Sequence, residues 1–207
     1  MCGYCLTGDT SEAIIPFLYG TGANGKSVFV NTLLGVLGDY SAVAPMDVFT
    51  ATHNPQHSTS IAALRGARLV AATETEDGSR WAEAKLKELT GGGPIKARFM
   101  RQDEFTFVPQ FKPMISGNHR PRLRNVDEAM RRRFHLVPFA VTIPPDKRDK
   151  KLADKLRAEW GGILQWAVEG CLKWQSEGLR PPRAVTEATE DYLQGQDTLG
   201  IGWQNRQ

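Results

Sequence analysis

Nowhere in the 207 residues does an apolar run approach the ~20 needed to span a bilayer, so a membrane-spanning helix is not expected. The first residues, Met1-Cys2-Gly3-Tyr4-Cys5, have neither a basic flank nor a long apolar core. No secretory leader is therefore expected, and the compartment reads as cytoplasmic. Cysteine is scarce: Cys2, Cys5 and Cys171 are the three, and they read as reduced, partly buried thiols. Cys2-x-x-Cys5 lacks the preceding strand and following helix of a redox pair, and the four histidines are too scattered to complete a zinc site. Internal repeats and low-complexity segments are also missing. What remains, with 41% hydrophobic and 24% charged residues, is the composition of an ordinary globular protein long enough for one α/β domain.

The most informative stretch is Gly20-Thr21-Gly22-Ala23-Asn24-Gly25-Lys26-Ser27, which fits G-x-x-x-x-G-K-[ST]. Ahead of it, residues 14–19 read as a buried strand. Behind it, Val28, Phe29, Leu33, Leu34 and Leu37 recur at helical spacing until Gly38. Strand, loop and helix are the context a phosphate-binding loop requires. The glycines let backbone N–H groups turn inward around a polyphosphate, and the helix N-terminus adds its positive end. These eight residues are the expected ATP site: Lys26 meets the β- and γ-phosphates, and the Ser27 hydroxyl ligates Mg²⁺.

Further along, residues 68–74 form an apolar strand that ends on Glu74, with Glu76 close behind. A carboxylate at the tip of a strand beside the loop holds the metal or polarises the attacking water; Glu74 is the first choice and Glu76 the reserve. Between these strands, a short strand is expected within 42–50, a polar loop at 52–57, and a short helix over 61–64 that Ser58 can cap. A helix starting near Ser79 and running through Trp81, Leu86 and Leu89 should end at Gly91-Gly92-Gly93-Pro94.

Charge is small in total, +3, but uneven. Residues 96–133 carry ten Lys or Arg against four acids, a local excess of six that points to an anionic partner such as nucleic acid. Residues 95–100 and 105–108 alternate like two strands of a hairpin with a charged tip. Lys96 and Arg98 stand on one face and Phe99 on the other, and Arg101 lies in the tip. A further strand from Lys112 ends on Asn118, an amide able to orient a water or touch a γ-phosphate. A short helix over 126–132 leads through Arg131-Arg132-Arg133 into a last strand, 134–139. From Pro144 onward the pattern is helical: a charged helix over 149–158, an apolar packing stripe of Ile163, Trp166, Ala167, Cys171 and Trp174, and a last short helix over 186–193.

Taken together, Gly22 to Ser27, Arg68 to Glu76, Leu89-Thr90-Gly91-Gly92, Ser116-Gly117-Asn118-His119-Arg120-Pro121 and Arg132-Arg133 with Pro138-Phe139 resemble superfamily 3 helicases. The closer likeness is to the C-terminal helicase part of phage and plasmid primase-helicases, of the satellite-phage alpha-protein type and related to the poxvirus NTPase-primase. The resemblance implies an AAA+-like ATPase, α/β with a central mostly parallel sheet and a small helical C-terminal appendage. It also implies ATP and Mg²⁺ as cofactors, a hexameric homo-oligomeric ring, and translocation on single-stranded DNA with 3′ to 5′ polarity. By that match Glu74 is the Walker B acid and metal partner of Ser27, and Asn118 is the sensor. Lys96 and Arg98, with Arg101, belong to the DNA-facing hairpin, and Arg133 or Arg132 is the arginine finger.

The expected layout is an ATPase core over 1–143, a helical part over 144–195 and a flexible tail over 196–207. Residues 1–13 read as the end of a larger upstream region, with the primase part and its partners in replication lying outside this chain. Two other functions fit the loop: a small-molecule kinase, and a prophage remnant that binds ATP or DNA without unwinding.

Overall fold

The computed structural model describes residues 1–52, 58–73 and 77–204. The polar loop expected at 52–57 (beyond Thr52), the Ser58 cap, Glu74 and Glu76 lie outside the described residues and side chains.

Five strands form one sheet in the order β2 (Ser41–Val43), β3 (Leu69–Thr73), β6 (Lys112–Gly117), β1 (Ile15–Tyr19) and β7 (Phe134–Pro138), every neighbouring pair parallel. A parallel sheet is covered on both faces, which is why these strands read as continuous apolar runs. Within each run the side chains still alternate. Phe17, Val70, Ala72 and Ile115 enter one core, while Leu18, Leu69, Ala71 and Met114 enter the other. Helix α1 (Lys26–Leu37) covers the second face through Val30 and Leu33.

On the first face an aromatic column runs from Phe17 to Trp81 (ring centroids 5.5 Å, edge-on), Phe134 (5.1 Å from Trp81) and Tyr192 (6.1 Å from Phe134). Each such pair contributes ~0.5–1.5 kcal/mol beyond its buried area. Trp81 Nε1 donates to the Tyr192 hydroxyl at 2.8 Å, and that hydroxyl donates in turn to Pro121 O. Tyr192 belongs to α7 (Arg183–Gln204), so the C-terminal helix docks on the sheet; its Thr189 hydroxyl also accepts from Leu136 N at 2.9 Å.

Several elements depart from the sequence reading. Helix α3 (Glu83–Thr90) begins after Trp81, because Trp81 N donates to Arg122 O and Ala82 N to Phe49 O, which draws this segment into the core as extended chain. The short strand expected within 42–50 is present as β2, but it reaches only to Val43 before a 3-10 turn, Met46–Val48. Strand β3 is not next to β1: β6 lies between them. Helix α6 (Trp160–Glu177) does bury Ala167 and half-bury Ile163, Cys171 and Trp174, but Trp166 leaves the expected stripe and is 57% exposed. Helix α7 continues to Gln204, through the region expected to be a flexible tail. Gly195 does not stop it, and the Gln196 side chain accepts from Leu123 N at 3.1 Å.

The described residues also form α2 (Ser58–Ala62), the separate antiparallel pair β4 (Ile95–Arg98) and β5 (Glu104–Phe107), α4 (Glu128–Arg131), α5 (Leu152–Ala158) and short 3-10 turns at Tyr4–Leu6, Gly38–Tyr40 and Pro145–Lys147. No helix among the described residues is long and apolar enough to cross a membrane.

Candidate functional site

The register of the sheet brings three strand ends level: Tyr19 pairs with Gly117, and Thr73 with Ser116. Ligands of open α/β sheets gather at such carboxyl ends. Between the end of β1 and the start of α1, Gly22, Ala23 and Gly25 all take positive φ (105°, 49° and 87°). That conformation bends the loop back over the helix N-terminus. Gly25 is strongly favoured there, whereas Ala23 carries local strain. Among the described residues no side chain caps α1, which leaves its leading N–H groups open to a ligand.

The Lys26 side chain folds back into this loop and is 6% exposed. Its ammonium donates to Gly20 O at 2.6 Å, Asn24 Oδ1 at 3.1 Å and Asn118 Oδ1 at 3.1 Å. All three acceptors are neutral, and burial pushes the ammonium pKa down. A buried cation among neutral oxygens favours an incoming anion. Asn24 does more than form part of the loop: its Nδ2 donates to Phe139 O at 3.0 Å, and Ile143 N donates to Ala23 O at 2.8 Å. These bonds fasten the loop to the chain leaving β7.

Beside Lys26 opens a cavity of about 780 Å³ lined by residues 22–28 with Asn31, Thr73 and residues 116–119. The volume suits a nucleoside triphosphate. Loop and Asn118 are thus brought together, although they lie far apart in the chain, and exposed Ser27 also lies on the wall. Gly20 contributes through its carbonyl to Lys26, while Thr21 is exposed and outside the lining. Thr73, the last described residue of β3, also reaches the wall. In this lining Asn31 was not singled out by the sequence, and Ser116 and His119 were named only within the motif around Asn118, without a site role. His119 and Ser116 flank the Asn118 motif, so strand periodicity around Asn118 was the usable signal; nothing in the sequence marks Asn31.

The arginines do not line this cavity. Arg132 is exposed and borders a separate cleft between β7 and α7. Arg133, expected first as the finger, is 7% exposed: its Nε donates to Thr90 Oγ1 at 3.1 Å and its Nη1 to Ala129 O at 2.8 Å. A finger must leave its own subunit, and a guanidinium engaged in this way stays inside it.

The hairpin holds its expected alternation. Ile95 and Ala97 are buried, Lys96 and Arg98 exposed, and Phe99 stacks on Phe105 with centroids 5.5 Å apart. Arg101 sits exposed in the turn at φ 60°. Of the ten basic residues in 96–133, Lys112 and Arg133 are buried, which leaves the surface less basic than the count suggests. The cysteines are free thiols. Cys5 is fully buried, and burial pushes its thiol pKa up to about 12.

Among curated proteins, one from Acanthamoeba polyphaga mimivirus named "Putative helicase" is 29% identical over 209 residues, covering 91% of this chain and 22% of its own length. Another of that name type, from Frog virus 3 (isolate Goorha), is 25% identical over 213 residues, covering 92% of this chain and 22% of its own. The chain therefore spans little more than a fifth of the length of these relatives.

Two solved apo structures of the NrS-1 C-terminal region share the fold. One has a TM-score of 0.63 at 11% identity over 89% of this chain and 42% of that one. The other has a TM-score of 0.62 at 12% identity over 89% and 43%. Identity that low speaks for the fold alone. The model of one family matches residues 18–133, more than half of the chain, from the strand before the loop to the last arginine of the cluster; this protein belongs to DUF5906, a family of unknown function.

Proposed function

We propose that this chain is the ATP-hydrolysing motor of a DNA helicase for phage or plasmid replication, of the superfamily 3 type. The observation that carries the reading is the Lys26 ammonium, buried in a loop of positive-φ residues at an uncapped helix N-terminus and bonded to Asn118 across the sheet. Such an arrangement binds a triphosphate through backbone N–H groups and one positive charge, and sets an amide where a water can be oriented. The viral relatives named as helicases support the direction of the reading.

Lys26 stabilises charge on the β- and γ-phosphates, and Asn118 orients the attacking water. Glu74, with Glu76 in reserve, comes directly after Thr73 in sequence and polarises that water. Mg²⁺, when bound, neutralises charge shared by the phosphates; Ser27 Oγ and Glu74 are the groups that would hold it. Exposed Arg132 is the arginine we assign to a neighbouring subunit's γ-phosphate in a homo-oligomeric ring, since a guanidinium stays charged and can bridge two oxygens. Lys96, Arg98 and Arg101 meet the phosphates of single-stranded DNA. The ATPase core extends over residues 1–143, with the helical part after it.

ATP turnover measured over a range of protein concentrations, with and without single-stranded DNA and alongside size-exclusion chromatography, tests the reading. Turnover should rise with DNA and climb more steeply than in proportion to protein as rings form. Turnover that ignores DNA but follows a small phosphate acceptor identifies a kinase instead. Binding of ATP or DNA without any turnover identifies a remnant.

A further inference from the structure

We infer that Arg133 is a positioning residue that couples the root of the β4–β5 hairpin to the strands carrying the nucleotide loop; the inference rests on the ATPase reading above. Arg133 stands between α4 and β7, and three of its groups face three different elements. Its Nε meets the hydroxyl of Thr90 and its Nη1 the carbonyl of Ala129. Its backbone carbonyl accepts from Ile15 N at 2.6 Å, at the foot of the β1–β7 ladder. Strand β1 then runs straight to Gly20, whose carbonyl holds Lys26 at 2.6 Å.

Thr90 is the last residue of α3 and is 3% exposed. Its hydroxyl donates to Leu86 O at 2.6 Å, which turns a lone pair toward the guanidinium. Only Gly91-Gly92-Gly93-Pro94 separate it from Ile95, where the hairpin begins. A second tie runs in parallel: Lys87 on α3 pairs with Asp127, and the Asp127 side chain caps α4 by accepting from Met130 N. The hairpin root is thus held to the β7 side of the sheet at two points, one of them through the residue that opens the β1–β7 ladder.

Stability alone does not account for Arg133. Among the described residues its guanidinium hydrogen-bonds only neutral acceptors, with the Asp127 carboxylate acting on it from a distance, and burying a cation held in this way is often no better than filling the same space with an apolar side chain. What the guanidinium provides is one rigid fork that reaches α3 and α4 together. A shift of β1 and β7 against their neighbours is passed through that fork to Thr90, and the three glycines let the hairpin swing about it.

Thr90→Val removes the acceptor at nearly constant shape, and Thr90→Ser keeps it. In the wild type and in Thr90→Ser, ATPγS with Mg²⁺ should slow amide exchange both at residues 20–27 and across residues 95–107. Thr90→Val should keep ATPγS affinity within about twofold of wild type and keep protection at 20–27. It should lose the response at 95–107, together with about fivefold or more of the stimulation by single-stranded DNA, the lower end of coupling between sites. Arg133→Gln should behave likewise, and the double variant should add nothing further. If Thr90→Val fails to fold, Arg133→Lys makes the same test, since an ammonium cannot span Thr90 and Ala129 as a fork.

Wild-type stimulation and a wild-type exchange response in Thr90→Val overturn the inference. So does a loss of nucleotide affinity in that variant, which marks a merely structural contact. No protection of residues 20–27 in the wild type overturns the ATPase reading itself, and the coupling falls with it.

Discussion

Lys112 makes the stability of this protein depend on pH in a direction opposite to that of an ordinary surface lysine. It sits at the start of β6, 2% exposed, with its ammonium on the carbonyls of Thr7, Asp9 and Gln110 and 4.7 Å from the centre of the Tyr4 ring. Its pKa is lowered from 10.5 to about 8, with burial the largest influence and Arg68 acting the same way, while Cys5 and Asp9 oppose. Between those two values the unfolded chain holds a proton that the folded one has released. Stability therefore rises with pH across that window, and the penalty is complete below the folded value.

From pH 7 to pH 9 the gain works out at roughly 1.3 kcal/mol, which at a urea slope of about 2 kcal/mol/M shifts the midpoint up by about 0.6 M. Above pH 9 the sign reverses, because burial holds Cys5 and Tyr4 protonated to about 12 in the fold while their unfolded counterparts ionise near 9.0 and 10.0. Urea midpoints of the wild type and Lys112→Met at pH 7, 8 and 9 isolate the effect. The wild type should gain on the variant by that amount. Parallel profiles would refute the reasoning and mean that three carbonyls and a ring hold the charge against burial.

Gly3 packs against α6 so closely that a Cβ would stand 2.2 Å from Cys171 N and 2.4 Å from Ala167 O, so Gly3→Ala should cost ~1–3 kcal/mol by urea unfolding. Gly161→Ala in the same helix meets nothing within 4 Å and should stabilise by ~0.5–1 kcal/mol, which makes it the control. Replacing exposed Lys96 and Arg98 together should weaken binding to single-stranded DNA and flatten its salt slope by ~1.4, two phosphate contacts at ~0.7 each; an unchanged slope makes the hairpin an ordinary edge. Mixing Lys26→Ala with Arg132→Ala subunits should recover turnover that neither shows alone. No recovery in mixed assemblies removes Arg132 from the interface.

What the sequence disclosed depended on how far each signal reaches. The strand, loop and helix around Lys26 were legible because their signals are local: an apolar run, glycines at the bends and a helix start all lie within 24 residues, from Ile14 to Leu37. The strands were legible because burial on both faces keeps them apolar throughout. Trp81 was misread as helical because it stands just ahead of a helical segment with Leu86 and Leu89, while the hydrogen bonds that hold it extended come from Phe49 and Arg122, distant in the chain.

The burial of Arg133 was hidden for a related reason. Three adjacent arginines look alike in sequence, and only packing against Thr90 and Ala129 separates the buried one from its exposed neighbours. The β6 strand between β1 and β3 was likewise invisible, since strand order is set by crossovers and not by any one strand's residues.

The most direct measurement is steady-state ATP turnover of the wild type and Lys26→Ala, side by side, with single-stranded DNA present. Lys26 supplies a buried positive charge at the loop, and removing such a preorganised charge costs on the order of 100-fold or more in rate. Turnover in the wild type that falls by at least that factor in Lys26→Ala, with the fold retained, is the expected result. Turnover within twofold of wild type in Lys26→Ala would contradict the assignment of this cavity to ATP hydrolysis.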